Sequence, residues 1–284
     1  MSRGVSSLVA LLVAILAACT GSGGGTGTSV SVLPSSAASI AASAASVEVE
    51  LTIFGAASLK GALERAEAAY EAANPGTTLT ISTDSSAALE TQIEQGAPAD
   101  LFLSADTIHP QKLVDAGLAA GAPINVATNE LAIITPKDDV AHLATPFDLA
   151  KAGIRVIAAG DEVPITAYAT QLVDNLAGEP GAPADFAAAY ARNVVSKEDN
   201  VAAVRAKIEL GEGDGAIVYS TDARASDKVA TIALPAAANV PARYDGVVVK
   251  ASPHVEAATR FLEWLAGPDG QGILGELGFL PPSS

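Results

Sequence analysis

The sequence predicts an α/β fold built on mainly parallel sheets. Two observations carry that prediction. Short runs rich in Val, Ile, Leu and Thr alternate with segments of helical periodicity, and Gly, Pro or Asn punctuates many of the junctions. The 284 residues, 49% of them hydrophobic, suffice to bury a sizeable core in one large domain or two smaller lobes. Aromatic residues make up only 4%, so packing must rest on Ala, Val, Leu and Ile. No repeat of fixed period is present.

The first legible segment is N-terminal. Arg3 precedes "LVALLVAILAAC", whose apolar run from Leu8 to Ala18 is too short to span a bilayer as a helix of about 20 residues. It reads as a signal-peptide core. "LAAC" resembles the bacterial lipobox, which makes residues 1–18 a lipoprotein signal peptide and Cys19 the lipidated first residue of the mature chain. The protein is then expected on the extracytoplasmic face of the cell membrane, at the cell surface or in the periplasm. Cys19 is the only cysteine, so an intramolecular disulfide is impossible. Residues 19–46, rich in Gly, Ser, Ala and Thr, read as a flexible tether. Their glycines follow no strand and open no helix, so they are not a dinucleotide fingerprint. The globular part begins near Val47.

From there the elements follow in order. "VEVELTIFGA" has strand character, and Leu59, Leu63, Ala66 and Tyr70 then mark one helical face. "NPG" at 74–76 stops that helix, and "TTLTIST" is the next strand. "AALETQIEQG" is a short helix ended by Gly96 and Pro98, and "ADLFLSA" is a third strand. Further strands are expected at "ELAIITP", "IRVIAAG", "GAIVYS", "VATIAL" and "YDGVVVK", with helices between most of them. Asp199-Asn200 precede an apolar stripe of Val201, Val204 and Ile208 and read as helix caps. "PHVEAATRFLEWLAG" and "PDGQGILGEL" close the chain as helices, with Trp264 packing on a core.

Ligands of such sheets bind beyond the carboxyl ends of the strands, where helices begin. Polar residues gather at those junctions: Ser58 after the first strand, Ser85-Ser86 after the second, Asn200 at a helix start and Tyr219 at a strand end. Each also has an ordinary structural use, the serines and Asn200 as helix caps and Tyr219 as a core ring with a satisfied hydroxyl. The formal charge of −16 disfavours a nucleic-acid partner, which requires phosphate-neutralising Lys and Arg. Removing residues 1–18 leaves 15 basic against 32 acidic residues.

Several stretches together resemble the periplasmic molybdate-binding proteins of ABC importers. They are "AASL" at 56–59, Ser86 with "LETQIEQGAPADLFLSAD" at 89–106, "GAIVYSTDA" at 215–223 and "LEWLAGPDGQGILGELGF" at 262–279. The resemblance runs along nearly all of residues 49–280. It implies a two-lobed periplasmic-binding-protein fold of type II, each lobe a mainly parallel sheet flanked by helices, with the ligand in the cleft between them. Residues 47–128 plus 241–284 make lobe I and 129–240 lobe II, with crossings near Asn129 and Tyr244. The implied oxyanion ligands are Ser58 and Ser86 from lobe I. From lobe II come the backbone N–H of Ile165, the backbone N–H of Val201, and the Tyr219 hydroxyl. "PITAY" at 164–168 departs from the family's small Ala-Gly pair, and the loop before Val163 is about two residues short.

The resemblance further implies a solute-binding protein rather than an enzyme, with no cofactor: the ligand is molybdate or tungstate, the partner an ABC permease, and the chain a monomer. Two other readings are open. The same fold binds other oxyanions such as sulfate or phosphate. A hydrolase using Ser58 would need a base, but His109, His142 and His254 lie away from the proposed ligands in sequence and no G-x-S-x-G elbow is present. Asp100 and Asp106, flanking a strand, are more simply structural than an acid/base pair.

Overall fold

The computed structural model describes residues 48–283. The signal peptide, Cys19 and the tether lie outside the described residues. Two five-stranded sheets organise the rest. The first contains β1 (Val49–Ala56), β2 (Thr77–Asp84), β3 (Leu101–Ser104), β4 (Ile124–Asn129) and β10 (Ala242–Val248), in the order β2-β1-β3-β10-β4. The second contains β5 (Leu131–Pro136), β6 (Val156–Ala159), β7 (Val194–Glu198), β8 (Gly215–Tyr219) and β9 (Val229–Ile232), in the order β7-β6-β8-β5-β9. Each sheet has parallel pairs on one side and one antiparallel strand, β10 in the first and β5 in the second. The chain passes from the first sheet to the second at Glu130 and returns across residues 233–241.

Helices cover the sheets: α1 (Lys60–Ala73), α2 (Ser86–Glu94), α3 (Ile108–Asp115), α4 (Pro164–Ala177), α5 (Phe186–Asn193), α6 (Val201–Glu209), α7 (Ser220–Arg224), α8 (Val255–Ala266) and α9 (Pro268–Glu276). The two-residue period of a strand explains how the first sheet is buried on both faces. Leu51, Ile53, Leu101 and Leu103 point into one apolar cluster, while Phe54 and Phe102, each next in the chain to one of them, point into another with Leu89 and Leu113. Full burial of each such side chain contributes about 1.5–3 kcal/mol. Gly246 on β10 is required by close packing, because a Cβ there would lie 2.6 Å from Leu103 and 2.7 Å from Leu262. Gly76, in the turn that ends α1, has φ of 94°, a value that favours glycine. Trp264 packs edge-on against Tyr70, ring centroids 5.1 Å apart.

Two strands escape sequence reading. β4, "INVATN", contains two Asn and one Thr and no clear alternation, and its pairing with β10 makes it a strand. β7, "VVSKE", is an edge strand held only by β6, and its charged end resembles the loop that precedes a helix.

Candidate functional site

Five strands end at one place. β1 runs into a single 3₁₀ turn (Ala57–Leu59), β2 into α2, β6 into the loop before α4, β7 into α6 and β8 into α7. The resulting cavity, about 10 Å³, is lined by all five residues singled out in the sequence: Ser58, Ser86, Ile165, Val201 and Tyr219. Ala56, Ser85, Val163 and Asn200 share its wall. That volume holds about one water. The arrangement is shut, and a hydrogen bond from Asn200 Nδ2 to Asp84 Oδ1 (3.0 Å) crosses from the second sheet's side to the first.

Three helices aim their N-termini at the cavity. At α2, Ser85 is the cap: its Oγ accepts the N–H of Ala88 (3.2 Å). Ser86, 1% exposed, accepts the N–H of Ala105 (3.0 Å) through Oγ. Its own hydroxyl hydrogen is left for a further acceptor. At α6, Asn200 Oδ1 accepts the N–H of Ala203 (3.0 Å), so Asn200 is the cap and Asp199 is not. Val201 begins the helix, where an N–H has no intrahelical partner. At α4, Pro164 occupies the first position and has no N–H, which makes Ile165 the first backbone donor of that helix. Thr166 Oγ1 donates to the carbonyls of Gly160 (2.7 Å) and Ala159 (3.2 Å), fixing this end of α4 against β6.

The Ser58 side chain makes no cap bond, and the capping expectation is corrected here. Its Oγ lies 2.9 Å from the Tyr244 hydroxyl, 186 residues away in sequence. Tyr244 in turn receives Asn129 Nδ2 at 3.4 Å. Asn129 is held by Glu130 N–H, Ser220 Oγ and Thr221 Oγ1 at 2.8–3.0 Å. Either hydroxyl can donate in the Ser58–Tyr244 contact; when Tyr244 donates, the Ser58 hydrogen is left to point into the cavity. Sequence reading places Asn129 and Tyr244 only at chain crossings; no local signal shows that they support Ser58.

Tyr219 is 1% exposed, and its hydroxyl has no hydrogen-bond partner among the described residues. Burial, reinforced by Tyr244, Tyr168 and the nearby carboxylates Asp106 and Asp222, holds its phenol well above the ordinary value. Burial likewise raises Tyr244 far up and Tyr168 to about 12. These hydroxyls therefore keep their protons and act as donors. None of the cavity-lining residues is Lys, Arg or His.

The carboxylates flanking β3 are committed elsewhere. Asp100 accepts the N–H of Thr52 (2.7 Å) and the hydroxyl of Ser252. Asp106 holds His109 Nδ1 at 2.7 Å and accepts Ser104 Oγ at 2.8 Å. Burial pushes the Asp106 carboxyl up, but the bonds from His109 and Ser104 outweigh it and leave the carboxyl below its ordinary value. Ser58 meets a phenol rather than an imidazole or carboxylate, and so lacks an activating base. Among the described residues, no group of three or more His, Cys, Asp or Glu gathers in metal-binding geometry. No described helix is long and apolar enough to cross a membrane. A groove of about 610 Å³ that also reaches Ser58 is larger, but charged side chains of both signs line it, Lys60, Arg205 and Arg224 with Glu64, Asp222 and Glu276.

A family model described as bacterial extracellular solute-binding protein matches residues 51–280. A Mycobacterium tuberculosis protein named molybdate-binding protein ModA is 32% identical over 233 residues, 82% of this chain and 85% of its own. A solved structure named "substrate binding domain of putative molybdenum ABC transporter from Clostridium difficile" is 29% identical with a TM-score of 0.62; the match covers 83% of this chain and all of that one. The Azotobacter vinelandii periplasmic molybdate-binding protein, 24% identical over 82% of this chain and all of its own, shares the fold with a TM-score of 0.68. Two sheets flanked by helices, their strand ends gathered on one cleft, are thus the two-lobed architecture of periplasmic binding proteins, and the chain belongs to the bacterial extracellular solute-binding protein family.

Proposed function

We propose that this protein captures molybdate or tungstate outside the cytoplasm and delivers it to an ABC permease, held at the membrane by lipid on Cys19. In this reading residues 47–128 plus 241–284 form one lobe and 129–240 the other, and the chain works as a monomer. The ligands are the hydroxyls of Ser58, Ser86 and Tyr219 and the backbone N–H groups of Ile165 and Val201. The observation that carries the reading is the Tyr219 hydroxyl, buried without a partner among the described residues in a wall shared with the other four. A buried hydroxyl without a partner costs about 1–3 kcal/mol, which an anion in the cleft would recover.

The chemistry suits an anion without formal positive charge. Helix N-termini offer unpaired N–H groups and a partial positive charge, and several aimed at one point form an anion site. A set made only of donors has no acceptor for a ligand proton, so it favours a fully deprotonated oxyanion over protonated phosphate. Sulfate is equally tetrahedral and dianionic, so its rejection rests on size. Hydrogen-bond reach is about 2.7–3.2 Å, and a smaller ion does not satisfy donors from both sides together. The relatives named for molybdate support the same cargo.

Titration with molybdate, tungstate, sulfate, phosphate and chromate, followed by calorimetry and Tyr/Trp fluorescence, tests the proposal. Molybdate and tungstate should bind comparably, and sulfate and phosphate at least tenfold more weakly. Sulfate bound as tightly as molybdate would overturn it.

A further inference from the structure

A second cavity, about 240 Å³, lies behind the wall of the cleft, bounded by residues of α4, α5, β6 and β7. Ala158, Ala169, Tyr190 and Val194 line it, with the Lys197–Asp161 ion pair on its rim. Ile165 belongs to the walls of both this cavity and the 10 Å³ cleft, and it is 2% exposed. Its backbone is fixed, because Thr166 ties the start of α4 to Ala159 and Gly160. The residue also lines the 240 Å³ of open volume next to it. Close-packed interiors resist displacement except toward a void.

We propose that Ile165 determines which ligand sizes the cleft accepts: its side chain is the partition between the cleft and the 240 Å³ cavity, and it yields into that cavity when a bulky oxyanion enters. The inference rests on the oxyanion reading of the cleft and adds a selectivity element to it. The donors fix where the oxygens sit, and the partition fixes how much room the ion has behind them. A small ion needs no displacement and gains nothing from it. A large ion depends on the cavity behind. Shortening residue 165 joins the two volumes and makes room for an oxyanion that carries an apolar arm. Filling the cavity from Ala169, one helical turn further along α4, pins the partition in place.

Calorimetry at pH 8 with molybdate, sulfate and phenylphosphonate on the wild type, Ile165→Ala and Ala169→Leu tests this. Ile165→Ala should raise the ratio of phenylphosphonate to molybdate affinity at least tenfold. Ala169→Leu should lower the ratio of molybdate to sulfate affinity at least tenfold. Circular dichroism confirms that each variant folds; if Ile165→Ala does not, Ala169→Leu decides the matter. Wild-type binding with both ratios within threefold in the folded variants overturns the partition alone. A wild type that binds none of the three anions removes the oxyanion reading, and the partition with it.

Discussion

Tyr219 has a hydroxyl that folding alone does not explain. The ring packs against Tyr244 (5.5 Å) and Tyr168 (6.3 Å), and its oxygen has no partner among the described residues. Replacing it by Phe keeps the ring and removes the orphan. Tyr219→Phe should therefore stabilise the ligand-free protein by about 1 kcal/mol while weakening oxyanion binding by about 1.5–3 kcal/mol. Thermal melts with and without molybdate check both signs, and equal affinity in the variant would take Tyr219 out of the site. Asp222 is the other residue under strain. Burial pushes its carboxyl up to about 7, against the opposing pull of Arg205, 3.5 Å away. The folded state then binds a proton that the unfolded state, with a value of 3.8, has released. Asp222 costs nothing below about pH 4; the penalty grows as pH rises toward 7 and is constant above. Asp222→Asn should raise stability at pH 8 by roughly 1–3 kcal/mol and change it little at pH 4. Denaturant melts at the two pH values measure the difference.

At the scale of elements, adjacent serines at the start of α2 have different tasks. Ser85 Oγ caps the helix, and Ser86 Oγ faces the cavity wall while accepting Ala105 N–H. Ser85→Ala should cost about 1 kcal/mol of stability with little change in affinity. Ser86→Ala should weaken binding by about 1.5–3 kcal/mol, the loss of one charge-assisted bond. Paired melts and calorimetry separate the two; an unchanged dissociation constant for Ser86→Ala would remove it from the site. "TDSSAALE" announces a helix start in the sequence, because small polar residues precede an apolar period. Which serine caps depends on the Ser85 backbone, φ −62° and ψ 144°, and on β3 bringing Ala105 within reach of the other. β4 and β7 were beyond local reading for a similar reason: neighbouring strands, not propensity, make them strands.

For the molecule as a whole, charge and cargo oppose each other. A chain of net charge −16 repels a dianion at long range, while the proposed site would hold it at short range with neutral donors. Screening weakens the first effect and barely touches the second, since the Debye length falls from about 30 Å at 0.01 M salt to about 8 Å at 0.15 M. The association rate for molybdate should therefore rise over that range, the reverse of electrostatic steering. Stopped-flow fluorescence measures it, and a rate that falls with salt would show an attractive path into the cleft.

The amino-acid order alone determined the alternation of strands and helices, the polar junctions at 58, 85–86, 200 and 219, and a net charge that disfavours a nucleic-acid partner. These are local properties, set by periodicity, capping chemistry and composition. Tertiary structure decided the rest. It set Tyr244 and Asn129 behind Ser58, left the Tyr219 hydroxyl without a partner among the described residues, and put a cavity beside Ile165. None of these can be read along the chain, because each depends on groups separated by tens to hundreds of residues that meet only in the folded molecule.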